Sequence, residues 1–184
     1  RRKLKKMSVT DGLTGLLNRQ GLNEEVDTWM RKYPDHSCVC ITLDIDDFKF
    51  INDVYGHLVG DMVLQKLADS MREIFQTNAV MGRNGGDEFS VLLKDTTIAQ
   101  SEALIRKFAA TGRTFEVNGQ DKVFGISVGY AEYPLQASDK AQLLRNADAA
   151  LYEVKLHGKQ GCQSYSGHLK LEKRSQLGFA LKDI

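Results

Sequence analysis

Several common kinds of protein are excluded by what this sequence lacks. Three cysteines, Cys38, Cys40 and Cys162, are too few and too odd in number for a disulfide framework. Cys38-Val39-Cys40 lacks the two-residue spacing of zinc knuckles, so a reducing, cytoplasmic setting is expected. The four histidines, His36, His57, His157 and His168, never fall at the i, i+4 spacing that places two imidazoles on one helix face. Charge of one sign is missing too: 25 Lys and Arg against 24 Asp and Glu leave a net +1, so no global field attracts nucleic acid or an anionic membrane. No apolar run reaches the length of a membrane span, and no signal-peptide core follows the basic opening Arg1-Arg2-Lys3-Leu4-Lys5-Lys6. Neither a Walker loop nor a Gly-x-Gly-x-x-Gly turn occurs, so any phosphate must bind to metal, helix amides or lysines.

What is present is material for one globular domain: 184 residues, 42% hydrophobic and 27% charged. Residues 1–9 read as a basic linker helix, 10–166 as the domain, and 167–184 as a linker or tail leading toward further domains. Apolar residues at Leu22, Val26, Trp29 and Met30 predict a helix over 19–33, ended by Pro34. Cys38 to Leu43 is a nearly continuous apolar run, the pattern of a central strand covered on both faces. A short helix over 47–54 and a longer one over 58–75 follow, the latter with Val59, Val63, Leu67, Met71 and Ile74 along one stripe. Asn84-Gly85-Gly86 between the apolar runs 79–81 and 89–93 predicts a hairpin with its glycines in a primed turn. Helices over 98–110 and 140–157 and strands over 114–117, 122–132 and 162–165 complete the pattern. The expected class is α+β, with a central, mostly antiparallel sheet of about five strands flanked by helices.

Two acidic groups stand where a chain usually places apolar or neutral residues. Asp44 ends the buried strand, and Asp87-Glu88 lie where the tight hairpin re-enters a strand. Unpartnered burial of such groups is costly. If hairpin and central strand are neighbours, these carboxylates converge at one sheet edge and suit Mg²⁺ with a phosphate substrate. Asp46 and Asp47 have the plainer expectation of capping the helix that follows. A calcium loop counted from Asp44 fails, with Lys49 at the glycine position and Tyr55 at the glutamate position. Gly85 and Gly86 serve a turn or let a nucleotide approach bare backbone. Lys49, Lys155 and Lys159 are either phosphate contacts or ordinary solvated lysines.

Gly85-Gly86-Asp87-Glu88-Phe89 spells the signature of the GGDEF family, and the chain resembles a diguanylate cyclase domain. Four further blocks stand in that family's order: Asp11 to Arg19, Asp44 to Asp53, Gly56 to Asp61, and Ala147 to Tyr152 leading to Lys155. The resemblance covers residues 10–165 and implies a fold like nucleotidyl cyclases and polymerase palms. It also implies condensation of two GTP into cyclic di-GMP with release of two pyrophosphates. Under it, Asp44, the carbonyl of Ile45, Asp87 and Glu88 hold Mg²⁺ or Mn²⁺, with Asp44, Asp87 and Glu88 the catalytic set. Asn52 and Asp61 read guanine, Phe48, Gly85 and Gly86 border the nucleotide, and Lys49, Lys155 and Lys159 meet the phosphates. One GTP per domain implies a homodimer as the active species.

Two positions depart from that family's pattern. Where it often has Arg-x-x-Asp ahead of the signature, this chain has Gln76-Thr77-Asn78-Ala79, with neither charge. Where it usually has arginine after the last helix, this chain has Lys159, which keeps the charge and loses the bidentate fork. A GTP-binding regulatory module with weak turnover is the alternative expectation.

Overall fold

The computed structural model describes residues 8–76 and 78–167. The expected basic helix therefore lies outside the described residues over 1–7, as does the tail over 168–184. Among the described residues, five helices flank the sheet: α1 (Arg19–Lys32), α2 (Phe48–Tyr55), α3 (His57–Ile74), α4 (Ile98–Ala110) and α5 (Lys140–Leu156). The main sheet has the order β2-β3-β1-β6-β7, from β1 (Cys38–Ile45), β2 (Ala79–Gly85), β3 (Glu88–Lys94), β6 (Ile126–Tyr133) and β7 (Gly161–Ser164). All pairings in it are antiparallel except β6 with β7. A separate two-stranded ribbon pairs β4 (Arg113–Val117) with β5 (Gln120–Phe124).

The central strand explains the architecture. Every residue of β1 is buried, because alternate side chains enter two different cores. Val39, Ile41, Leu43 and Ile45 pack with Val63, Leu67 and Met71 of α3 and Ile105 and Phe108 of α4. Cys38 and Cys40 point the other way, into a cluster with Leu22, Val26 and Trp29 of α1 and Leu143 and Ala147 of α5. Each such buried aliphatic contributes about 2 kcal/mol relative to exposure. Helix starts are fixed locally: Asn18 accepts Gly21 N–H at 2.9 Å, Asp139 accepts Gln142 N–H at 2.8 Å, and Thr97 with Gln100 forms a capping box.

Three expectations are corrected. The strand expected over 122–132 breaks at Gly125 into β5 and β6, which belong to different sheets. The apolar pattern runs unbroken through that point, so periodicity does not reveal the corner. A Cβ on Gly125 would lie 2.7 Å from the Gln160 side chain, which would have to give way. The hairpin turn also falls later than expected. Arg83 pairs with Phe89 and Gly85 with Glu88, which leaves Asn84 as a bulge and makes Gly86-Asp87 the reversal. Finally, Asp47 occupies the N-cap position of α2, yet its side chain makes no capping hydrogen bond, and its backbone is left-handed with φ 55°.

Candidate active site

Strand register brings the acids together. Asp44 of β1 lies opposite Glu88 of β3 on one side and Ser127 of β6 on the other. Directly opposed residues of an antiparallel pair share a sheet face, so Asp44 and Glu88 face the same side, the one covered by α1 and α5. Asp87, in the hairpin turn, is half-buried beside them.

The cation in this cluster arrives through a close helix contact. Gly129, opposite Thr42 and two residues along β6 from Ser127, lets α5 lie directly on the strand; a Cβ there would stand 2.1 Å from Leu151 N. One turn farther along α5, Lys155 forms an ion pair with Asp44. Asp44 is only 6% exposed. Burial pushes its carboxyl from 3.8 up to about 6, against the pull of Lys155 and with the push of Asp87 and Asp46. Burial raises Asp87 as well, opposed by its own amide, Lys155 and the amide of Ile45, and assisted by Glu88. Two neighbouring carboxylates held above their ordinary range, mainly by burial, mark a candidate functional site.

The donors in reach are hard oxygens, the set preferred by Mg²⁺ or Mn²⁺. Among the described residues, no three acidic, histidine or cysteine side chains are grouped to hold a metal by themselves.

The remaining sequence-expected residues fall into two groups. Asn52 on α2 lies against Gly60 at the start of α3: a Cβ at Gly60 would stand 1.8 Å from Asn52 Oδ1 and 3.4 Å from Phe48 Cζ. Asn52 is about 7.5 Å along the helix from the N-cap Asp47, at about 1.5 Å per residue. Lys49 and Asp61 are exposed on the same two helices. Gly85 and Gly86 are exposed in the hairpin at φ 133° and 53°. Lys159 lies in the loop between α5 and β7, its Nζ 2.7 Å from Asp47 Oδ1. Two of the three lysines expected at phosphate thus carry carboxylate partners, Lys155 on Asp44 and Lys159 on Asp47.

Sequence reasoning missed two parts of this region. Arg83 ties the hairpin to the N-terminal turn: its Nη1 lies 3.1 Å from Asp11 Oδ1 and its Nε donates to Gly86 O at 2.8 Å. Burial raises the Asp11 carboxyl, but Thr14 and Arg83 together hold it below its ordinary value. No local signal exposes a pair separated by 72 residues. Asp46, expected as a cap, is buried and accepts Ser127 Oγ–H at 2.5 Å and Gln160 N–H at 3.0 Å.

A family profile described as diguanylate cyclase, GGDEF domain, matches residues 8–161. The chain is 35% identical over 164 residues to the probable diguanylate cyclase DgcC of Escherichia coli K12, covering 86% of this chain and 44% of that protein. It is 32% identical over 158 residues to the cyclic di-GMP phosphodiesterase PdeR of the same organism, covering 85% of this chain and 24% of that one. It therefore spans less than half of these relatives. A solved structure comprising only the GGDEF domain of TpbB (YfiN) from Pseudomonas aeruginosa superposes with a TM-score of 0.80 at 29% identity, covering 85% of this chain and 94% of that one.

Proposed function

The chain belongs to the GGDEF family, and from that premise we propose that it is a diguanylate cyclase, condensing two GTP into cyclic di-GMP and two pyrophosphates. The observation that supports this reading is the meeting of Asp44, Asp87 and Glu88 with Lys155 at one end of the sheet, a few residues from the Asn52–Gly60 contact.

Asn52 and Asp61 read the guanine edge, an amide and a carboxylate satisfying its O6 acceptor and its N1 and N2 donors. Phe48 and the bare backbone of Gly85 and Gly86 border the nucleotide. Lys49, Lys155 and Lys159 neutralise the triphosphate, the last two by exchanging a carboxylate partner for a phosphate. Asp44, the carbonyl of Ile45, Asp87 and Glu88 would hold Mg²⁺ or Mn²⁺. When bound, that ion supplies Lewis-acid polarisation of the α-phosphate and neutralises charge on the leaving pyrophosphate.

Asp87 is also the residue assigned in this reading to take the proton of the attacking 3′-hydroxyl. Each attack forms one O3′–Pα bond and breaks the bond from Pα to the bridging oxygen of pyrophosphate. A domain that holds one GTP cannot supply both partners of the attack, so two copies must face each other, and the second attack closes the ring.

Two observations favour a second reading. Lys155 and Lys159 are both engaged by carboxylates in the free chain, and one relative is named as a phosphodiesterase. A nucleotide-binding regulatory module would use the same pocket without turnover.

The separating experiment incubates the chain with GTP and Mg²⁺ and follows cyclic di-GMP by mass spectrometry. Product from the wild type and none from Asp87→Ala or Glu88→Ala supports the cyclase. GTP binding without product from any form supports the module instead.

A further inference from the structure

The turn leaving β1 carries two adjacent carboxylates, and each grips one residue of the loop that follows α5. Asp46 accepts the Gln160 amide at 3.0 Å while its other oxygen accepts Ser127 Oγ–H at 2.5 Å. Asp47, with its side chain 64% exposed, holds the Lys159 ammonium at 2.7 Å. The gripped loop is strained. Gly158, Lys159, Gln160 and Gly161 have φ of 98°, 62°, 47° and 143° in succession. For the two non-glycine residues this region costs about 1 kcal/mol or more each, and such conformations persist only where surrounding contacts impose them. The bond to Asp46, which spans 114 residues of chain, is such a contact. Gly125 makes room for it, since a Cβ there would meet both the Gln160 side chain and Asp46 Oδ2. Held this way, Lys159 lies close enough to feel the charges of Asp44 and Asp46 as well as that of Asp47.

We propose that these neighbouring acids act in opposite senses on triphosphate binding. Asp46 is a positioning residue that fixes the loop so that Lys159 faces the phosphates, and Asp47 is a resident counter-ion that the triphosphate must displace. The proposal rests on the nucleotide reading above and adds an affinity-setting role for two side chains that touch neither base nor metal in it.

The opposite signs make the idea testable, because a merely structural role for the turn would weaken binding in both variants. Isothermal titration of the 184-residue chain with the α,β-methylene analogue of GTP and Mg²⁺ avoids turnover, and melting curves are taken beside it. Asp47→Asn keeps a residue that tolerates the left-handed backbone and is expected to bind about threefold tighter at low salt, an exposed ion pair being that weak. The gain fades at about 0.5 M salt, where surface charges are screened. Asp46→Ala is expected to bind about tenfold more weakly, the worth of one hydrogen bond to a charged group. Asp46→Asn recovers most of that loss, since its amide oxygen still accepts from Gln160 and its NH₂ donates to the Ser127 hydroxyl. Wild-type binding with an Asp47→Asn affinity equal to or weaker than wild type, or with Asp46→Ala unchanged, overturns the proposal alone. No binding by the wild type overturns it together with the nucleotide reading.

Discussion

Neutralising Asp44 should stabilise the free protein. The residue is 6% exposed, and its carboxyl stands at about 6 instead of 3.8, burial being the main cause and Lys155 the main relief. Each pH unit of displacement is worth 1.36 kcal/mol, so the ionised carboxylate costs the fold about 3 kcal/mol. Because the folded state holds this proton more tightly than the unfolded chain, the favourable contribution is complete below 3.8 and is lost as pH rises through about 6. Asp44→Asn removes the titration but leaves Lys155 without its partner. That lysine is 36% exposed at its side chain and can turn to water, so a net gain of about 1–2 kcal/mol remains at pH 8. For a domain of this size that is roughly 3–6 °C in melting temperature. The assay is thermal unfolding of both forms in EDTA from pH 3.5 to 8.5. The variant's advantage should be small at the acid end and reach its full value above pH 6. Adding Mg²⁺ should raise the melting temperature of the wild type only. An Asp44→Asn variant less stable at every pH, or an advantage independent of pH, would refute the electrostatic reasoning.

Other perturbations probe the neighbouring pieces. Gly60→Ala places a methyl 1.8 Å from Asn52 Oδ1 and must expel that amide; the KM for GTP should rise about tenfold, one lost hydrogen bond to the base, with little change in melting temperature. Lys155→Ala removes the cation that restrains Asp44, so the Asp44 carboxyl rises further and the acid limb of the kcat/KM profile moves to higher pH; an unmoved limb counts against the pairing. Arg83→Ala leaves Asp11, only 17% exposed at its side chain, without its cationic partner, at a cost of about 2 kcal/mol in urea unfolding. Since Asp11 is held below its ordinary value, the wild type owes it stability above pH 3.8 that disappears as pH falls, and the variant should show a flatter acid dependence.

Local patterns made most of this fold legible before any coordinates. The acid-ended apolar run from Cys38 to Asp44 has to be a strand covered on both faces, and the stripe from Val63 to Met71 has to be a buried helix face; both are as expected. The caps Asn18 and Asp139 were not read from the sequence, although their hydrogen bonds span only three positions. The convergence of Asp44 with Asp87 and Glu88 followed from one topological assumption, that hairpin and central strand pair as neighbours, and β1 and β3 do pair. Legibility ended where a partner lies far along the chain. Nothing near Asp46 says that Ser127 and Gln160 will claim its oxygens, so the local habit of acids before helices gave a cap instead. Arg83 and Asp11 were invisible as a pair for the same reason. The corner at Gly125 was hidden because Val123, Phe124 and Ile126 keep an apolar rhythm while the chain changes sheets.

The central claim is that one GTP per subunit reacts across two facing copies. Its most direct test is the initial rate of cyclic di-GMP formation per subunit, followed by mass spectrometry with saturating GTP and Mg²⁺ over a wide range of protein concentration. Alongside it runs a form dimerised by a fused coiled coil. The account predicts that the rate per subunit climbs with concentration toward the plateau shown by the forced dimer. A rate per subunit that stays constant down to the lowest concentration, or a forced dimer that binds GTP and makes no product, would contradict it.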